Sequence, residues 1–156
     1  MMRVTIVDAE RCVGCQSCMF ACARRHGTGG LLNSAILIRS AGGMERGFKV
    51  IVCRACPDPP CAKVCPTHAL VPRKDGGITL HADECIGCGN CVDECIFNAI
   101  FWNPEKNKPV VCMYCGYCTE FCPHDVIAHE KKGKNEKKGK EEKMEKQVSI
   151  TRGETA

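Results

Sequence analysis

Apolar residues in this chain come in short runs, each closed by a turn signal. No window approaches the eighteen or more continuous apolar residues that a membrane-spanning helix needs. Residues 3–7, 35–38, Phe48–Val52, Ile78–Leu80 and 100–102 are rich in β-branched and aromatic side chains and read as short strands. Asp75-Gly76-Gly77 is a strong hairpin turn. Cysteines four residues apart (Cys18/Cys22, Cys61/Cys65, Cys91/Cys95 and Cys118/Cys122) fit on one turn of a helix. The pattern predicts an α+β chain of repeated units, each a strand, a cysteine loop and a short helix. Beyond Ile127 apolar periodicity lapses until residues 147–151, and Gly133 and Gly139 interrupt a lysine-rich run, a weak helix at best.

The repeat dominates everything else. Sixteen cysteines fall into four quartets: Cys12, Cys15, Cys18, Cys22; Cys53, Cys56, Cys61, Cys65; Cys85, Cys88, Cys91, Cys95; and Cys112, Cys115, Cys118, Cys122. Three quartets have the spacing Cys-x2-Cys-x2-Cys-x3-Cys, and the second is widened in the middle to hold Pro57, Pro59 and Pro60. Cys65-Pro66 and Cys122-Pro123 end as the bacterial ferredoxin run does, whereas Cys22-Ala23 and Cys95-Ile96 depart from it.

Thiolates are the ligands of iron–sulfur clusters, and a 4Fe–4S cubane takes four. Three closely spaced cysteines wrap one cluster, and the fourth ligates its neighbour in two-cluster ferredoxins. Each quartet is then half of a reciprocal pair, and the sixteen ligands make four clusters in two pairs. Gly14, Gly87, Gly89 and Gly116 lie in the loops, where the backbone must curl tightly. Ile86, Val92, Ile96, Phe97, Met113 and Phe121 are expected to bury the sulfides or to pack as ordinary core. With 5% aromatic residues, such a chain draws folding free energy from its metal centres. Structural zinc uses Cys-x2-Cys pairs separated by a finger-sized loop, which these quartets do not follow. Disulfide scaffolds belong to small secreted chains. Residues 1–7 enter strand-like alternation with no apolar signal core, so the expected compartment is the cytoplasm. Arg24-Arg25 lies between cysteines and is not read as an export signal.

The net charge of +4 resides in residues 131–146, where eight lysines meet four glutamates, and the rest of the chain balances. Residues 1–128 therefore read as a cluster-bearing body and 129–156 as a Lys/Glu-rich extension. The extension is a solubilising segment or a docking element for an acidic partner. A neutral body and a tail without aromatics give no nucleic-acid partner. No catalytic constellation is present: His26, His68, His81, His124 and His129 are scattered and read as solvent-facing or capping, and Asp93-Glu94 as a solvated face.

The four-quartet plan resembles the electron-transfer subunits of the dimethyl sulfoxide reductase type. It is especially similar to the compact forms accompanying tungsten- or molybdenum-pterin aldehyde oxidoreductases and carbon monoxide dehydrogenases. The resemblance covers residues 1–128. It rests on Cys12-Val13-Gly14-Cys15-Gln16-Ser17-Cys18, on the stretch from Cys53-Arg54-Ala55-Cys56-Pro57 through Cys65-Pro66-Thr67-His68-Ala69-Leu70, and on Asp83-Glu84-Cys85-Ile86-Gly87-Cys88. It implies two intertwined ferredoxin-like modules, quartets one and four in one and two and three in the other. The implied ligand sets are Cys12, Cys15, Cys18, Cys122; Cys22, Cys112, Cys115, Cys118; Cys53, Cys56, Cys61, Cys95; and Cys65, Cys85, Cys88, Cys91. Spacing alone also allows pairing of first with second and third with fourth. The implied role is non-catalytic: electrons relayed between a large pterin-containing oxidoreductase subunit and a soluble ferredoxin or a flavin- or NAD-linked subunit. The other readings are a free-standing polyferredoxin, the transfer subunit of a carbon monoxide dehydrogenase, hydrogenase or formate dehydrogenase, and a zinc-binding contact module.

Overall fold

The computed structural model describes residues 2–42 and 46–131. Among these residues are eight short strands, four α-helices and a 3-10 turn at Ala9–Arg11: β1 (Met2–Ile6), α1 (Ser17–Arg25), β2 (Ile36–Ser40), β3 (Phe48–Val52), α2 (Pro60–Lys63), β4 (Leu70–Pro72), β5 (Ile78–Leu80), α3 (Asn90–Asp93), β6 (Phe101–Asn103), β7 (Lys108–Val110), α4 (Tyr117–Glu120) and β8 (Ile127–Lys131). This is an α+β architecture of small parts. Among the described residues the strands form four separate two-stranded antiparallel ribbons: β1–β8, β2–β3, β4–β5 and β6–β7. A lone ribbon is marginal in water, so these depend on what packs against them.

β2 and β3 bury Ile36 and Ile38 opposite Val52 and Val50. The hairpin at Asp75-Gly76-Gly77 closes β4 onto β5, with Gly76 N–H donating to Arg73 O at 3.0 Å. Strands β4 and β7 carry Pro72 and Pro109, which hid them from a strand pattern but are tolerated in edge pairing. β8 was also illegible. Ile-Ala-His-Glu-Lys has no apolar alternation, yet it pairs with β1 from Ile6↔Ile127 to Met2↔Lys131. Backbone bonds, the burial of Ile127 at its start and the Arg3–Glu130 ion pair, 2.9 Å, hold it. This strand runs three residues past position 128, and residues 132–156, with most of the lysine-rich run and the segment 147–151, lie outside the described part.

Only α1 carries the last two cysteines of its quartet within one helix. α2, α3 and α4 are single turns that stop before Cys65, Cys95 and Cys122, which corrects the expectation of one helical turn per pair. The chain there tightens to three-residue bonds: Cys65 N–H to Ala62 O, Cys95 to Val92 O, and Cys122 to Thr119 O. Pro66 and Pro123 drive Cys65 and Cys122 out of helical geometry. Cys22 has no following proline, and α1 runs on to Arg24-Arg25, whose charges suit the carbonyl end of a helix. In quartet two the extra prolines build the start of α2, with Pro60 at its first position.

Three groups of buried side chains fill the interior. Val4, Met19, Ile36, Ile38, Val50, Val52, Val126 and Ile127 surround Cys18 and Cys118. Leu70, Ile78, Ile100 and Val111 surround Cys61 and Cys91. Ala35, Ala55, Val110 and Tyr114 lie around Cys112, with Cys22 and Cys53 against them. Of the expected burying residues only Val92 packs against this core. Ile86, Ile96, Phe97, Met113 and Phe121 are all exposed, Ile96 at 75%, because they flank cysteines on tight surface loops.

Candidate iron–sulfur centres

The cysteine loops owe their shape to left-handed residues. In quartet three Gly87 and Gly89, at φ of 72° and 84°, bracket Cys88 and turn the chain back on itself twice. The same reversals occur at non-glycine positions: Gln16 in the first loop, Ala55 in the second and Tyr114 in the fourth, at φ of 61°, 51° and 56°. A side chain in this region is strained by roughly 1–2 kcal/mol. Three further left-handed residues, His68, Asn98 and Asp125, stand three positions after Cys65, Cys95 and Cys122. They turn the next N–H groups toward sulfur. Ala99 N–H reaches Cys95 Sγ, and Val126 N–H reaches Cys122 Sγ, each at 3.3 Å. Cys22 receives its N–H from Ala35, also at 3.3 Å. Such donors stabilise anionic sulfur.

Three small hollows lie among these loops, each walled by four cysteines. The first is walled by Cys12, Cys15, Cys18 and Cys122 with Val13, Ile38 and Ile127. The second is walled by Cys53, Cys56, Cys61 and Cys95 under Ile96 and Phe97. The third is walled by Cys65, Cys85, Cys88 and Cys91 with Ile86, Leu70 and Trp102. Four sulfurs in each point to one kind of occupant.

Electrostatics groups the thiols in the same way. In every quartet the third cysteine is buried, and burial is the main reason its thiol is pushed up: Cys18 and Cys61 to about 12, Cys91 to about 11, Cys118 further. The next cause is like charge from neighbours. Cys18 feels Cys122, Cys15 and Cys12, and Cys61 feels Cys95, Cys53 and Cys56. Cys91 feels Cys88, Cys85 and Cys65. Cys118 feels Cys22, Cys112, Cys18 and Cys115, which brings the remaining four cysteines together. Burial likewise raises Cys112 to about 12, and raises Cys22 and Cys56. Cys65 goes the other way: burial pushes it up, but the Leu70 N–H and the Thr67 hydroxyl outweigh that.

Among the described residues, no three or more His, Cys, Asp or Glu side chains converge tightly enough for a single metal ion. A cubane spreads its thiolates over separate irons and so needs a cage around a space, which is what these quartets form.

The histidines take varied places. His68 and His81 are exposed, and Asp93-Glu94 is a solvated face. His124 lines the first cavity. His26 ends α1, where burial and the Lys106 charge hold its pKa down. His129 differs from its solvent-facing expectation: it is half-buried, and its Nε2 lies 3.1 Å from Tyr114 O. Tyr114 was missed altogether. It is 2% exposed, its hydroxyl lies 3.2 Å from Cys53 Sγ, and burial above all pushes its pKa up. The available signal was a bulky residue where the first and third loops have Gly14 and Gly87.

Cysteine cages on curled backbone, set among short ribbons and single helical turns, define an iron–sulfur protein of the electron-transport kind. Residues 44–120 match the family model described as a 4Fe-4S dicluster domain. The chain is 32% identical over 138 residues to the probable anaerobic dimethyl sulfoxide reductase chain YnfG of Escherichia coli K12, covering 75% of this chain and 67% of that one. It is 32% identical over 116 residues to a tetrathionate reductase subunit of Salmonella typhimurium, covering 70% and 46%. It is 30% identical over 123 residues to a putative dimethyl sulfoxide reductase iron-sulfur subunit of Halobacterium salinarum, covering 67% and 47%. The chain belongs to the dimethyl sulfoxide reductase iron–sulfur subunit family, and its sixteen cysteines provide for four 4Fe–4S clusters. It spans about half the length of several curated relatives it matches. No helix among the described residues is long and apolar enough to cross a membrane.

Proposed function

We propose that the chain is the electron-relay subunit of an oxidoreductase complex, with cages Cys12/15/18/122, Cys22/112/115/118, Cys53/56/61/95 and Cys65/85/88/91 each holding one cluster. The observation that carries this is the crossing of quartets: Cys122 stands with the first quartet, Cys95 with the second and Cys65 with the third. Quartets one and four then form one ferredoxin-like module and quartets two and three the other. Each cluster supplies storage of one electron without a substrate pocket. The chain's own residues do the rest. They fix the sulfurs on left-handed turns, donate N–H groups to Cys22, Cys95, Cys112 and Cys122, and exclude water from the third cysteines. Cys118 lies near Cys18, and Cys112 near Cys53, which supports a row of cages in the order given.

The partner is a large catalytic subunit bearing a tungsten- or molybdenum-pterin. The compact plan favours an aldehyde oxidoreductase, and the names of the relatives favour a reductase of a sulfoxide or sulfur oxoanion. Electrons pass on the other side to a soluble ferredoxin or a flavin- or NAD-linked subunit, in the cytoplasm. The lysine-rich extension would dock on an acidic face of a partner. Anaerobic purification of the native complex tests all of this: a brown chain with about four irons per cage and a co-purifying pterin-bearing chain is expected. A colourless or zinc-loaded chain would refute cluster binding, and a brown chain that purifies alone would favour a polyferredoxin.

A further inference from the structure

The four cysteine loops are not equivalent at the residue preceding the second cysteine. Gly14, Ala55 and Gly87 occupy this position in the first three loops, and Tyr114 occupies it in the fourth. A tyrosine there is strained, with φ of 56°, and strain of this kind persists only where the surroundings enforce it. Those surroundings are specific. His129 Nε2 lies 3.1 Å from Tyr114 O. The Arg73 guanidinium sits over the ring at 4.7 Å. Gly77 leaves room for the hydroxyl, since a Cβ there would come within 2.2 Å of it.

Tyr114 touches ligands of two cages. Its backbone N–H donates to Cys112 Sγ at 3.3 Å, and its hydroxyl lies 3.2 Å from Cys53 Sγ. The direction of the second bond follows from its neighbours. Ile78 N–H donates into the phenol oxygen at 3.0 Å, which occupies one lone pair and leaves the hydroxyl hydrogen free. A thiolate bound to iron carries no proton and can only accept, so the phenol donates to Cys53. Hydrogen bonds to ligand sulfur favour the more negative, reduced state of a cluster. The other three loops offer no side-chain donor at this position.

We propose that Tyr114 is a positioning residue that joins the Cys112 and Cys53 cages and raises the reduction potential of the cluster at Cys53. This rests on the cage assignment given under Proposed function. The phenol keeps its proton throughout; it holds that proton at Cys53 Sγ and transfers nothing.

The test uses the full chain, purified without oxygen and titrated reductively with detection by electron paramagnetic resonance. In Tyr114→Phe, iron and sulfide content should match the wild type, and one midpoint potential should move to a more negative value. The moving signal should be the one that Cys53→Ser alters. Fluorotyrosine incorporated in a Tyr117→Phe background places the label at Tyr114 alone, since the chain has two tyrosines. The more acidic phenol should move the same cluster in the opposite direction, and this arm decides the matter if the phenylalanine variant loses iron. Four unchanged potentials in iron-replete Tyr114→Phe, or no response to fluorotyrosine, would overturn the proposal. Wild-type protein that fails to hold iron would instead overturn the cage assignment.

Discussion

Gly87→Ala and Gly89→Ala make a matched pair, because both residues bracket Cys88 in left-handed backbone, at φ of 72° and 84°. The backbone cost of alanine is therefore shared, at about 1–2 kcal/mol. The surroundings differ. A Cβ at Gly87 would stand 2.6 Å from Asn107 O, a backbone atom that cannot swing away, and 2.6 Å from Asn107 Nδ2. A Cβ at Gly89 meets nothing within 4 Å. Overpacking against a fixed neighbour adds about 1–3 kcal/mol, so Gly87→Ala should cost about 2–5 kcal/mol. A domain has roughly 5–15 kcal/mol in total, so the first substitution threatens the loop and the second does not. The assay is anaerobic thermal bleaching of the visible chromophore at a fixed heating rate, because cluster loss makes unfolding irreversible. At about 3–4 °C per kcal/mol for a chain of this size, Gly87→Ala should bleach at least several degrees below Gly89→Ala. Equal shifts, or a larger shift for Gly89→Ala, would refute the close packing of the loop against Asn107.

Cys88→Ser should remove or alter the cluster at Cys65, Cys85 and Cys91, lower iron by up to about four per chain and reduce thermal stability; full iron with wild-type stability would contradict the cage. Assembly of clusters on the iron-free chain should quicken with pH. Thiols held up to about 12 at Cys18, Cys61 and Cys112 are protonated at neutral pH, and iron must expel those protons. Chromophore formation should be at least several-fold faster near pH 8.5 than near pH 6.5, and a pH-independent rate would count against protonated buried thiols. Asn103→Ala should cost about 1–3 kcal/mol in anaerobic urea unfolding. Asn103 is 1% exposed and bonds Asn33 Oδ1 at 2.7 Å and Lys106 N at 3.0 Å. Truncation after Lys131, which keeps β8 whole, should weaken assembly with a partner, and wild-type assembly should weaken with salt; unchanged assembly would discard docking by the extension.

The cysteine framework was legible because its spacing is set by covalent reach: short loops place sulfurs around one object wherever they occur. Strands with β-branched runs, such as Phe48–Val52, were legible for the same local reason. Other features depend on partners distant in sequence. β8 exists because β1 offers it backbone bonds, and nothing in its own composition announces a strand. Ile86 and Ile96 looked like core by hydropathy, but position on a tight loop decides exposure, and both lie at the surface. Tyr114 and Ala55 occupy glycine-like backbone without being glycine. Their strain is balanced by packing around Cys53 and Cys112, which only the folded arrangement displays. The ends of α2 and α4 were misjudged because Pro66 and Pro123 act within a residue or two of the boundary; α3 stops as early before Cys95 with Ile96 after it, which no proline explains.

Sulfur accessibility divides the four quartets unevenly. Cys15, Cys88 and Cys115, the second cysteines of three loops, are exposed, while Cys56 is half covered, shielded by the wider proline-bearing loop around it. Three of the proposed cages are thus open to solvent at the second cysteine, and the fourth is less open there. Oxidants should strip the more open sites first, and a partly damaged molecule should retain the site at Cys53 and Cys56 longest.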